Sequence, residues 1–196
     1  HLYRKMQETY IQDKVFNGND FSKELLPCGE YENCRFINGQ FPETDLSNFK
    51  FIDCRFEGCN LSLAKLGKTV FREVVFSSCK MMGLHFEHCH DIGLFFTFNS
   101  CTLDHSSFYS MKIKKTVFKD CLLREVDFIE CDLAGSVFDK CDLAGARFGQ
   151  TNLEQADLRT AFNYSIDPGD NRVKKAKFSF PAVCGLLDKY GIEVEI

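Results

Sequence analysis

Within residues 85–91, which read HFEHCHD, stand His85, His88, Cys89 and His90, of the types that ligate zinc. Eleven cysteines and five histidines also raise nucleophilic catalysis, which needs a Cys or Ser beside a His in a pocket. His105 next to Ser106 is such a neighbouring pair. Carboxylates recur as Asp127, Asp132, Asp142 and Asp157, with Glu125, Glu130 and Glu154 among them. What each group can do depends on the element that carries it, and the spacing of the large apolar residues defines that element.

From Phe16 every fifth residue is large and apolar: Phe21, Leu26, Tyr31, Phe36, Phe41 and onward to Phe86. The series resumes two residues out of phase at Phe98 and runs through Phe108, Phe118, Phe128, Phe138 and Phe148 to Leu158. A period of five is neither the 3.6 of an amphipathic helix nor the 2 of a half-buried strand. It is the period of a coil with flat sides, one five-residue unit per side and one central side chain pointing inward. The residue two before each centre also faces inward and must be small. Eight of the 11 cysteines occupy that place, namely Cys34, Cys54, Cys59, Cys79, Cys101, Cys121, Cys131 and Cys141. Thr69, Ser106, Thr116, Ser136, Thr151 and Ala156 share it.

With four sides per coil, residues 20 apart stack, so Phe16, Phe36, Phe56 and Phe76 form one ladder and Phe108, Phe128 and Phe148 another. Strands about 4.8 Å apart then give about seven coils and a rod of about 33 Å. Residues 87–97 become a two-residue insertion, either a bulge absorbing a change of register or a projecting loop that presents Phe95 and Phe96. The expected fold is an all-β solenoid, a right-handed quadrilateral parallel β-helix over residues 1–163, with residues 164–196 forming a C-terminal turn, a short capping helix and a strand. Pro181 opens that helix, Gly191 closes it, and Ile192, Val194 and Ile196 alternate with acids as a final strand would.

This register bears on the chemistry. Cys89 would point inward while His88 and His90 point outward, which weighs against their convergence on one metal ion. Most thiols lie in a packed interior, behaving as small hydrophobes, and parallel stacking does not offer disulfide geometry. No Gly-rich phosphate loop is present. The sequence therefore predicts no enzyme, no cofactor and no metal. Net charge is −4, from 28 acids and 24 bases, without the basic patch of a nucleic-acid binder. No apolar run approaches the roughly 20 residues of a membrane helix, and residues 1–10 lack the apolar core of a signal peptide, so a cytoplasmic protein is expected.

The units CDLAG at 131–135 and again at 141–145, TNLEQ at 151–155, ADLRT at 156–160, TDLSN at 44–48 and CNLSL at 59–63 resemble the pentapeptide-repeat family. The tail is similar to that of Qnr-type and albicidin- and microcin-immunity members, where C-terminal elements join two rods end to end. That resemblance implies a homodimer made through Leu186, Leu187, Tyr190, Ile192 and Val194, although the same segment could serve only as a cap. It also implies a partner, DNA gyrase or topoisomerase IV, whose DNA-binding saddle the rod would occupy, protecting it from quinolone-like or peptide inhibitors. In that reading Glu125, Asp127, Glu130, Asp132, Asp142, Glu154 and Asp157 form an acidic face imitating DNA phosphates, and Phe95 and Phe96 lie on a contact loop. The plainer reading of the aspartates is local hydrogen bonding in turns. Residues 91–163 carry 11 acids against 8 bases, a thin field for a DNA mimic. The alternative function is a scaffold that presents a flat β-face to another protein.

Overall fold

The computed structural model describes residues 8–195 and shows a right-handed parallel β-solenoid. Eleven short strands form: β1 (Thr9–Gln12), β2 (Val15–Asn17), β3 (Gly29–Glu32), β4 (Arg35–Ile37), β5 (Lys50–Ile52), β6 (Arg55–Glu57), β7 (Val70–Arg72), β8 (Val74–Ser77), β9 (Phe96–Asn99), β10 (Val117–Lys119) and β11 (Val137–Asp139). One side of the coil is a seven-stranded sheet, β2-β4-β6-β8-β9-β10-β11, and another is a four-stranded sheet, β1-β3-β5-β7. Isolated bridges hold the other two sides, such as Gln40 to Asn60 and Asp127 to Arg147.

Register follows the ring spacing. Phe16 pairs with Phe36, Phe36 with Phe56 and Phe56 with Phe76, each 20 residues on. Across the interruption Phe76 pairs with Phe98, an offset of 22, and Phe98 with Phe118 restores 20. The two-residue insertion is thus real, and parallel pairing at the regular offset continues beyond it.

Rings in one column stack nearly parallel, with centroids 4.7 Å apart for Phe36 and Phe56, 5.3 Å for Phe76 and Phe98 and 5.1 Å for Phe118 and Phe138. Rings on adjacent sides meet edge to face, as Phe118 and Phe128 do at 5.9 Å and 79°. Both arrangements suit the quadrupole of an aromatic ring. Each such Phe is fully buried and worth about 1.5–3 kcal/mol in transfer free energy.

Sharp corners require a left-handed backbone two residues after most centres. Asn38, Asp53, Lys68, Ser78, Glu125 and Lys140 all have φ between 50° and 58°, and no β-branched residue takes such a position among the described residues.

The C-terminal segment differs from expectation. In place of one helix over 181–190, two 3₁₀ turns form, Ala182–Leu186 and Asp188–Tyr190. Gly185 explains the interruption: a Cβ there would stand 2.0 Å from the carbonyl oxygen of Tyr164, so the segment lies flat on the last coil with its backbone in contact. The Gly185 carbonyl accepts from the Ile166 N–H at 3.2 Å. Gly191 closes the second turn at φ 62°, as its position in the sequence predicts. Ile192 to Glu195 form no strand, and Ile196 lies outside the described residues. The solenoid ladder itself continues past residue 163, with Asn152 bridging Arg172 and Asp157 bridging Lys177. Asn171 closes the intervening turn, its amide donating to the Asp167 carbonyl at 2.9 Å.

Candidate functional site

The inward column removes most candidates for covalent chemistry. All 11 cysteines are free thiols, and the eight in the small inward position are buried. Their sulfhydryls donate to carbonyls one coil back, as Cys54 does to Tyr31 at 3.2 Å, Cys59 to Phe36 at 3.2 Å and Cys79 to Phe56 at 3.3 Å. Thr69, Thr151 and Ser106 make the same bond with hydroxyls at 2.8, 2.7 and 2.9 Å. Burial pushes the Cys54 and Cys131 thiols up to about 12, away from the nucleophilic thiolate. The Ser106 hydroxyl is spent, donating to Met81 and accepting from the Leu84 N–H at 3.0 Å, while His105 occupies an outward left-handed corner. No nucleophile–base pair results.

The seven acids do not share a face. Asp127 stacks between Ser107 and Arg147, Asp132 between Lys112 and Asn152, Asp142 between Leu122 and Phe162, and Asp157 between Val137 and Lys177. These are four different sides of the coil. Each aspartate carboxylate accepts from the N–H two residues on, at 2.9 Å to Ile129, 3.2 Å to Ala134, 3.1 Å to Ala144 and 3.1 Å to Arg159. This is turn support. Most of their charge is also countered: Asp127 by Arg147 at 2.7 Å, Asp157 by Arg159 at 2.7 Å, Glu154 by Arg172 at 3.1 Å and Asp132 by Lys114 at 3.5 Å. Arg159 holds the Asp157 carboxyl below the usual carboxylate range. Glu125 and Glu130 sit at left-handed corners of two adjacent sides. The single acidic face expected from the sequence is therefore not formed, because residues five apart turn a corner each time.

Sequence reasoning missed Asp104. It is 4% exposed and accepts three bonds from Arg124, from Nη2 at 2.6 Å, Nε at 2.9 Å and the backbone N–H at 3.0 Å. Its signal in the sequence is an acid placed after a centre where the other units on the same side, with Ser62, Met82, Arg124 and Ala144, carry neutral residues or Arg.

The insertion borders a concavity. The four-stranded sheet ends at β7, and paired stacking on that side resumes only between Lys112 and Asp132. Residues 91–94 swing outward, and Ile92 is exposed. A surface cleft of about 700 Å³ opens beside them, lined by Lys68, Glu87, Leu94, Tyr109, Met111 and Lys112. Phe95 is half-buried and borders a smaller lobe with Lys112 and Lys114. Phe96 does not project from a loop as expected: it is 1% exposed and packs on Phe86 and Phe98 at 5.5 and 5.0 Å. Strand β9 begins at Phe96, so the register shift is complete before it.

At the C-terminal end Leu187, Tyr190, Ile192 and Val194 are exposed, with Phe180 beside them in the chain, while Leu186 is half-buried against the core. Lys189 ties the second 3₁₀ turn back to Asp167 at 2.7 Å. No described helix is long and apolar enough to cross a membrane.

A coil of five-residue sides, with small residues inward and turn-forming aspartates before several of the centres, defines a pentapeptide-repeat protein. Models of the pentapeptide repeat match residues 32–67, 54–90 and 95–161, together well over half of the chain, and the chain belongs to that family. Among solved structures it is similar to QnrB1, a plasmid-mediated fluoroquinolone resistance protein, at 16% identity and TM-score 0.41, over 94% of this chain and 100% of that one. It is also similar to HetL, a pentapeptide repeat protein involved in heterocyst differentiation regulation from the cyanobacterium Nostoc, at 14% identity and TM-score 0.45, over 89% and 86%. A third likeness is to a pentapeptide repeat protein of the Arabidopsis thaliana thylakoid lumen, at 14% identity and TM-score 0.27, over 78% and 67%. A comparison with curated proteins finds no match.

Proposed function

We propose that this chain is a non-enzymatic protein-binding rod whose partner docks at the cleft opened by the insertion. The observation that supports this reading is the break in stacking on one side, where Leu94, Phe95 and Met111 stand beside Lys68, Lys112 and Lys114. Elsewhere the core is filled and the eight inward thiols are buried within it, which supports binding as the work of the surface.

In its specific form the partner is a type II topoisomerase, DNA gyrase or topoisomerase IV, and binding protects it from quinolone-like or peptide inhibitors. Dimensions favour this form: two rods joined through Leu187, Tyr190, Ile192 and Val194 span about 70 Å, close to roughly 20 base pairs at 3.4 Å each. Charge does not, since the acids are spread over four sides and largely paired. A scaffold for a different protein, engaged through the same cleft, is the reading the charge distribution favours.

Supercoiling by purified gyrase, with and without a quinolone, separates the two. Protection by micromolar wild-type protein, lost on Leu94→Asp, supports the topoisomerase form. No effect on either activity removes that form and leaves the scaffold.

A further inference from the structure

The sequence register turns Cys89 inward and His88 and His90 outward. The structure adds a 3₁₀ turn, Phe86–His88, at the start of the interruption. A 3₁₀ helix has three residues per turn, so side chains at i and i+3 eclipse. His85 and His88 consequently lie over one another, ring centroids 5.2 Å apart and 15° from parallel. Glu87 reaches the same point, its Oε1 3.0 Å from His85 Nδ1. One ligand atom from each of these three residues lies within 4.8 Å of the others.

A second observation concerns the other carboxylate oxygen. Glu87 Oε2 is buried and has no hydrogen-bond partner, one of two such side-chain atoms among the described residues. A buried carboxylate oxygen without a donor or cation is unfavourable. His90 is not among the converging residues, and its Nδ1 accepts from the Ile92 N–H at 3.1 Å.

We propose that His85, Glu87 and His88 bind a divalent transition-metal ion of the zinc type. The two imidazole nitrogens are borderline donors, and their presence beside one carboxylate oxygen favours Zn²⁺ or Co²⁺ over Mg²⁺ or Ca²⁺. A tetrahedral ion with bonds of about 2.0–2.1 Å holds its donors about 3.4 Å apart, within small side-chain rotations of the present positions. Both histidines are exposed, so those rotations meet no core packing, and the fourth position opens to solvent.

The test is calorimetric titration of ZnCl₂ into full-length protein free of any polyhistidine tag, in a non-chelating buffer. Co²⁺ spectra read the ligand type. One ion per chain is expected, with a visible cobalt band and no thiolate charge-transfer band. His85→Ala and His88→Ala should each weaken binding about tenfold or more, as even loss of an outer-shell partner does. Glu87→Gln should weaken it as well, while His90→Ala, His105→Ala and Cys28→Ser leave it unchanged. Both histidines are exposed and Glu87 is partly exposed, and thermal melts verify that the variants remain folded. Binding that survives in His85→Ala/His88→Ala, or that disappears in Cys28→Ser, overturns the proposal, as does no heat or cobalt band at about 100 µM metal.

Discussion

Cysteine, serine and threonine at the small inward position do two jobs at once. Each fits the space beneath a central ring, and each donates to a carbonyl of the coil before. Cys79, Cys101 and Cys141 reach Phe56, Phe76 and Phe118 at 3.3, 3.4 and 3.3 Å. Alanine fills the same space without a donor, so the thiol is more than a small hydrophobe here. The position has a consequence for pH. Burial raises Cys54 and Cys131 from 9.0 to about 12, and a hydrogen bond with Cys101 together with burial does the same for Cys79. A thiol whose folded pKa lies above its unfolded value stabilises the fold fully below the unfolded pKa, and that contribution is lost as pH rises toward the folded pKa. Stability in urea should therefore hold up to about pH 9 and fall between about 9 and 12. Cys54→Ala/Cys131→Ala should fall less steeply over that window, and a wild-type midpoint that stays flat through it would contradict the assignment.

At the scale of the element, each five-residue side depends on its corner, and the interruption and the cap are where corners fail. The cap depends on Gly185, whose missing side chain lets the 3₁₀ segment press on the Tyr164 carbonyl. Gly185→Ala should cost about 1–3 kcal/mol, the range for overpacking a close contact. Hydrogen exchange locates the damage: amides of 164–190 should exchange faster while those of the Phe36 to Phe128 coils keep their protection. Uniform loss of protection would mean that the cap and the rod unfold as one unit. The insertion makes the complementary case. Removing Ile92 and Gly93 returns the offset from 22 to 20, and the shortened chain should fold, with its cleft closed and cleft-dependent binding gone.

For the whole molecule, the open question is what meets the exposed apolar end. Tyr190 is 63% exposed and Ile192 55%, on a structure that buries nearly every central side chain of the repeat. End-to-end pairing of two chains would cover them. Light scattering should give about twice the 22.5 kDa chain mass for wild type and the single mass for Leu187→Asp. A monomeric wild type would rule out the joined rod and, with it, the length match to duplex DNA.

The sequence by itself determined the solenoid, its four-fold stacking, the small inward position and the two-residue slip, because a period of five admits no ordinary helix or strand and the centres from Phe16 to Leu158 keep that period. It also indicated the use of Asp127, Asp132, Asp142 and Asp157 in turns. Only the tertiary structure decided which outward groups meet. Neighbours five apart in sequence face different directions, so the acids disperse over four sides, while residues 20 apart come together, as Asp104 and Arg124 do. The His85–His88 overlap and the 3₁₀ cap arise from local departures from the repeat. Their geometry depends on how the chain closes against coils already stacked, and a period carries no information about the places where it breaks.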